Sequence, residues 1–237
     1  MITEASVLDA LSGVRDPELD EPITDMKFIS SLQVSGDAVD VTLRLPTPFC
    51  APNFAYLMAH DARAALLSVP GIREARVTLE DHHTAEEINA GMASGLGFES
   101  TFSSFEETGG DSLEELRTIF RRKAFVSRQE KLCRMLLADN CHSPAELAGM
   151  RLGEVPRSEA KEKYLSRRGE LGLDVSEEAP FVVDPDGRQV PEEAVVKHLR
   201  FARVTRLSIE ANAGFCRGVL AARYEGSPGI IEKEATL

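Results

Sequence analysis

The sequence has no run of about eighteen apolar residues, so it offers no helix that would cross a bilayer. Its first residues, Met1 to Glu18, carry acid where a secretory leader would carry basic residues and an apolar stretch. Both absences predict a cytoplasmic chain. Excess positive charge is lacking as well. With 27 basic against 39 acidic residues the formal net charge is -12, and phosphate backbones and anionic membrane surfaces repel such a chain. Neither nucleic acid nor a membrane is expected as a partner. The basic stretch from Arg117 to Arg134 interleaves its charges with Leu116, Ile119, Phe120 and Leu132, and reads as the solvated face of a helix. Cysteine is scarce. Cys50, Cys133, Cys141 and Cys216 are widely spaced, with no C-x-x-C pair, which argues against a disulfide framework and a standard zinc site. The nucleophile-elbow, P-loop, dinucleotide and H-E-x-x-H signatures are also missing, which weakens an enzymatic reading.

The residues that are present suffice for a packed core, at 43% hydrophobic over 237 residues. Thr3 can cap a short helix whose Val7, Leu8 and Leu11 share one stripe, ended by Gly13. Phe28 to Val34 and Ala38 to Leu45 predict two strands around the turn Ser35-Gly36-Asp37. Pro46 and Pro48 break the chain, and Pro52 to Leu67 then carries apolar residues at helical spacing. A third strand is expected at Ala75 to Leu79. The order helix, strand, strand, helix, strand predicts a small α/β (α+β) domain over residues 1–82. Residues 83–110 read as a partly helical connector, and residues 111–237 as a mainly helical domain with a short hairpin around Asp184 to Gly187. Within it, two capping boxes, Ser112 to Glu115 and Ser127 to Glu130, predict two consecutive helices. Val204 to Tyr224 suits either helix or, around Val204 to Ile209, strand. The tail from Gly226 is expected to fray.

Three motifs follow one another in the first third of the chain. They are Val14-Arg15-Asp16-Pro17-Glu18-Leu19, the loop Leu45-Pro46-Thr47-Pro48-Phe49-Cys50-Ala51-Pro52, and Val69-Pro70-Gly71-Ile72 before Ala75-Arg76-Val77. This succession resembles the SufT and PaaD type of iron-sulfur cluster assembly domain over roughly Thr3 to Glu80. The chain departs from that pattern at Cys50-Ala51-Pro52, where the family has Cys followed directly by Pro. It departs again at Met26-Lys27, which replaces a Leu-Gly pair. It also lacks the cysteine-rich tail of the PaaD branch. The resemblance implies a non-catalytic maturation factor, or metallochaperone, that touches iron or an iron-sulfur cluster transiently and serves a client metalloprotein, for instance a metal-dependent oxygenase. A homodimer is a further expectation.

Cys50 lies between a strand end and a helix start, where unpaired N–H groups and the helix dipole favour a thiolate. It is the first candidate metal ligand; the competing reading is an inert, half-buried cysteine. If the turn folds over the loop, as the resemblance implies, Asp16 and Glu18 join it as oxygen ligands; otherwise they only cap their own turn. Asp16, Pro17, Glu18 and Thr47 form the expected binding surface. His82 and His83 are candidate ligands too, although on a continuing strand their rings would point to opposite sides. His60 is ten positions along the helix from Cys50, about 15 Å away, too far to share an ion. Cys133, Cys141 and His142 could meet if the chain folds back, but packing is the simpler account, as it is for Cys216 and His198. Two other functions stay open, a metal-independent interaction module and a thiol enzyme with Cys50 activated by Glu18 or His82.

Overall fold

The computed structural model describes residues 2–95, 97–101, 113–138 and 142–224. Among the described residues no helix is long and apolar enough to cross a membrane. The chain divides into two compact units, one built from Met1–Leu113 with Asn212–Leu237 and the other from Glu114–Ala211.

In the first unit, helix α1 (Glu4–Ser12) starts at Thr3, whose hydroxyl accepts the Ser6 N–H while Ser6 bonds back, a reciprocal cap. Val7 and Leu11 are its buried stripe. Strands β1 (Ile29–Ser35) and β2 (Ala38–Arg44) pair antiparallel around Gly36, whose φ of 68° suits a tight hairpin. Helix α2 (Pro52–Ser68) crosses over, and β3 (Glu74–Glu80) returns parallel to β2 in the register Ala38 with Glu74 through Arg44 with Glu80. The sheet order is β1-β2-β3, and the alternating residues Val39, Val41 and Leu43 of the central strand are sealed in the core.

The stretch read as a connector holds two helices of the first unit, α3 (Ala85–Ser94) and α4 (Phe98–Thr101). Asn89 of α3 bonds both backbone groups of Leu79, accepting its N–H at 2.8 Å and donating to its carbonyl at 2.9 Å. That pairing satisfies backbone groups on the outer side of β3, where an edge strand otherwise presents them to solvent.

The second unit takes up α5 (Leu113–Ala138) from Glu114 onward, one continuous helix where two were expected. Ser127 and Glu130 lie inside it and start nothing. Glu130 is committed to Arg206 in a buried ion pair, so its carboxylate is not available to cap, and the neighbouring Ala124, Phe125 and Val126 are buried as helix. Ser112, Asp139, Asn140 and Cys141 lie outside the described residues, as does the tail from Glu225. The basic stretch is not solvated throughout, because Arg128 is buried with Gln129 and Glu130. Helices α6 (Pro144–Gly149) and α7 (Glu159–Glu170) follow, with a single 3-10 turn at Leu152–Glu154 between them. The expected hairpin reduces to one bridge, Val183 with Gln189, around the Asp184 turn. Polar groups lock this core: Gln129 donates to the Tyr164 hydroxyl and the Val183 carbonyl, and its oxygen accepts from His198 Nε2 at 2.7 Å.

The last element, α8 (Glu192–Arg223), is helix throughout, including the segment that strand also suited. Its residues to Ala211 belong to the second unit and those from Asn212 to the first. In this division the expected domain 111–237 shares α8 with the first unit. The physical reason is that Ala213 and Leu220 are buried in the first core, with Cys216 and Tyr224 packed against it.

Candidate functional site

The loop after β2 is shaped by its own residues. Leu45 is buried, and Thr47 then accepts the Phe49 N–H on Oγ1 at 3.2 Å, the short side-chain turn that threonine favours. The same hydroxyl lies 3.6 Å from Cys50 Sγ. Cys50 precedes Ala51, the N-cap of α2, which brings no side-chain acceptor, and Pro52 fills the first turn. The sulfur is half-buried, while the neighbouring Phe49 ring is 79% exposed.

Strand β3 stops at Glu80 because Asp81 adopts a φ of 53°, and this turn sends both histidine rings toward the loop. The expectation of opposite faces fails for that reason. His82 Nδ1 accepts the Thr84 N–H at 3.2 Å, so Nε2 carries the proton and donates to the Cys50 carbonyl at 2.7 Å. Burial holds the His82 pKa below its ordinary value, with the nearby His83 adding to the effect against the Cys50 carbonyl. His83 donates both its backbone N–H, at 3.0 Å, and Nδ1–H, at 2.6 Å, to the Pro48 carbonyl. The two rings sit 4.7 Å apart, and His83 reaches Phe49 at 5.8 Å. Both histidines thus grip the backbone of the cysteine loop.

The turn at Asp16-Pro17-Glu18 is closed by Asp16, whose Oδ1 accepts the N–H groups of Glu18 and Leu19 at 2.9 Å each. The Asp16 carboxyl is nearly sealed from water, and that burial raises its pKa to about 6 despite the two N–H donors. Glu18 extends to Asn212 of α8 at 3.3 Å.

Cys216 is the residue whose position the sequence did not reveal. It is half-buried against the first core, and burial, then the charges of Asp16, Cys50 and Glu18, push its thiol pKa up to about 11. A signal was present in the four-residue spacing of Asn212, Cys216, Leu220 and Tyr224, one face of a helix. Among the described residues no three His, Cys, Asp or Glu side chains gather into a ready-made metal site. Cys133, in the second unit, is sealed in the core, and burial pushes its thiol pKa far up.

A family model described as iron-sulfur cluster assembly protein matches residues 4–79. An uncharacterized protein of Methanocaldococcus jannaschii is 34% identical over 90 residues, which is 38% of this chain and 93% of that protein. The chain belongs to the iron-sulfur cluster assembly protein family. Two iron-sulfur cluster carrier proteins are also similar. That of Deinococcus radiodurans is 38% identical over 72 residues, 30% of this chain and 20% of its own length. That of Synechocystis is 33% identical over 82 residues, 34% of this chain and 23% of its own. The chain therefore spans only a fifth to a quarter of the carrier proteins. The family segment contains the Asp16 turn, the Cys50 loop and β3; α5 to α8, and Cys216 with them, lie outside it.

Proposed function

We propose that this protein is a non-catalytic maturation factor that takes up iron or an iron-sulfur cluster transiently on Cys50 and passes it to a client metalloprotein. The observation that carries this reading is the Cys50 loop itself. It lies in the segment that matches the assembly family, and it presents a half-buried sulfur at the start of α2. Its backbone is held by His82 and His83, at 2.7 Å and 2.6 Å. A loop so pinned keeps the thiol in one place without an ordering cost when cargo arrives. The soft thiolate suits iron, and the open surroundings suit release, since few protein ligands close over the ion. Phe49, exposed beside the thiol, offers an apolar contact to the client.

Anaerobic incubation with ferrous iron and sulfide tests the reading. The wild-type protein is expected to take up both, seen in iron and sulfide content and in visible absorption, and Cys50→Ser is expected to lose most of that uptake. Equal uptake by both, or none by either, would remove the thiol from the mechanism.

A further inference from the structure

Strands β2 and β3 run parallel and end side by side at Arg44 and Glu80, so the cysteine loop and the histidine turn leave the sheet together. Pro46 and Pro48 keep the loop out of any strand ladder, and its carbonyls must find other donors. Those of Pro48 and Cys50 take them from His83 and His82. The Pro46 carbonyl takes its donor, at 2.9 Å, from Arg223 in the last turn of α8. All three donor residues lie beyond residue 79, where the family segment ends.

Arg223 reaches a second point. Its other terminal nitrogen donates to Asp81 Oδ2 at 2.7 Å, and the Tyr224 hydroxyl donates to the same oxygen. The Arg44 guanidinium covers the Tyr224 ring at 3.8 Å and stands 3.8 Å from Glu80, which anchors the ring at the end of β2. Asp81 is the residue whose left-handed φ of 53° turns both histidines toward the loop, and outside glycine such a backbone persists only when its surroundings hold it. A lone ion pair this exposed would hold little, since Arg223 and Asp81 are 29% and 45% exposed. A planar guanidinium bridging two fixed acceptors, with a second donor on the same carboxylate, loses less freedom per bond.

We propose that Arg223 and Tyr224 are positioning residues for Cys50: the last turn of α8 clasps the Pro46 carbonyl and Asp81, and so sets the loop and the histidine turn in the arrangement that presents the thiol. The inference deepens the maturation-factor reading and rests on it for the thiol's cargo. Arg223 acts directly on the start of the loop and, through the Asp81 turn, on the carbonyls of Pro48 and Cys50. The family segment supplies the thiol, and the C-terminal extension supplies part of its mounting.

Amide hydrogen exchange on the full chain tests the clasp without metal. The His83 N–H, bonded to the Pro48 carbonyl, is expected to exchange about fivefold faster in Arg223→Ala and less so in Tyr224→Phe, while the core amides of α2 stay at the wild-type rate. Arg223→Lys keeps a charge near Asp81 without the planar fork and is expected to restore part of the protection. Asn212→Ala removes the α8 contact with Glu18, about three turns away, and is expected to leave His83 unchanged. Wild-type exchange at His83 in both Arg223→Ala and Tyr224→Phe overturns the proposal. So does equal acceleration in Asn212→Ala or throughout α2, which would mark a general loosening. Anaerobic uptake of ferrous iron and sulfide then tests the link to function. Slower uptake is expected in Arg223→Ala, and uptake at the wild-type rate in a variant whose loop has loosened overturns the positioning role. If His83 loses protection as expected while the wild type takes up no iron, the clasp stands and the maturation-factor reading falls.

Discussion

Lys27 occupies a left-handed backbone conformation, with φ at 59°, at the position where the family pattern has glycine. A side chain there costs about 1–2 kcal/mol, and glycine would return part of this through its larger unfolded-state entropy. Lys27→Gly is therefore expected to stabilise the protein by about 0.5–1 kcal/mol, read as a raised urea midpoint at unchanged slope. Asp16 gives a pH dependence whose sign is fixed by burial. Its folded pKa, about 6, exceeds its unfolded value near 3.8, so the folded state binds the extra proton between those limits. This group thus weakens the fold at neutral pH and ceases to do so as the pH falls from about 6 to about 4. Asp16→Asn keeps an oxygen for the Glu18 and Leu19 N–H groups and removes the buried charge. The variant is expected to gain on the order of 2–3 kcal/mol at pH 7 and to flatten the profile in that window, measured by chemical denaturation. His82 acts oppositely: its lowered pKa means that stability falls as the pH drops below the unfolded histidine value.

At the scale of elements, the pairing of α5 with α8 depends on a charge pair inside the second unit. Arg206 and Glu130 are each nearly sealed from water, and Arg206 also reaches Glu210 at 2.5 Å. Arg206→Ala leaves Glu130 buried without that partner and is expected to cost about 3–5 kcal/mol, whereas Arg206→Met with Glu130→Leu is expected to cost much less. A double-mutant cycle by denaturant titration separates the two. Much of this level was legible in the residues. Thr3, the alternation of Val39, Val41 and Leu43, and Pro46 with Pro48 marked α1, β2 and the break before α2, because capping and period-two burial are local effects. The second capping box failed because Ser127 and Glu130 obey a tertiary partner that no local rule registers. The α3 segment reads as connector because its Gly, Ser and Glu content shows no sustained period, whereas its packing combines buried Ile88 with the tertiary pairing of one side-chain amide, Asn89, to β3.

At the scale of the whole molecule, the net charge of -12 sets the partners that long-range electrostatics allows. The protein is expected to pass a heparin column and bind an anion exchanger at low salt, and retention on heparin would reveal a concentrated basic surface strong enough to overcome that charge. The candidate site has two origins. Asp16, Glu18, Thr47 and Cys50 were named from the sequence because they fall in short motifs whose spacing is local. The histidines were named too, but their hold on the loop backbone depends on the left-handed turn at Asp81.

Chain order alone determined the helix-strand-strand-helix-strand frame and the thiol at the mouth of α2, since turn chemistry and side-chain periodicity act over a few residues. Only the tertiary structure decided that the end of α8 returns to the first unit, where Asn212 meets Glu18 and Arg223 meets the Pro46 carbonyl and Asp81. These contacts join residues far apart in sequence, and they are fixed by burial of Ala213 and Leu220 in a core that those residues cannot announce by themselves.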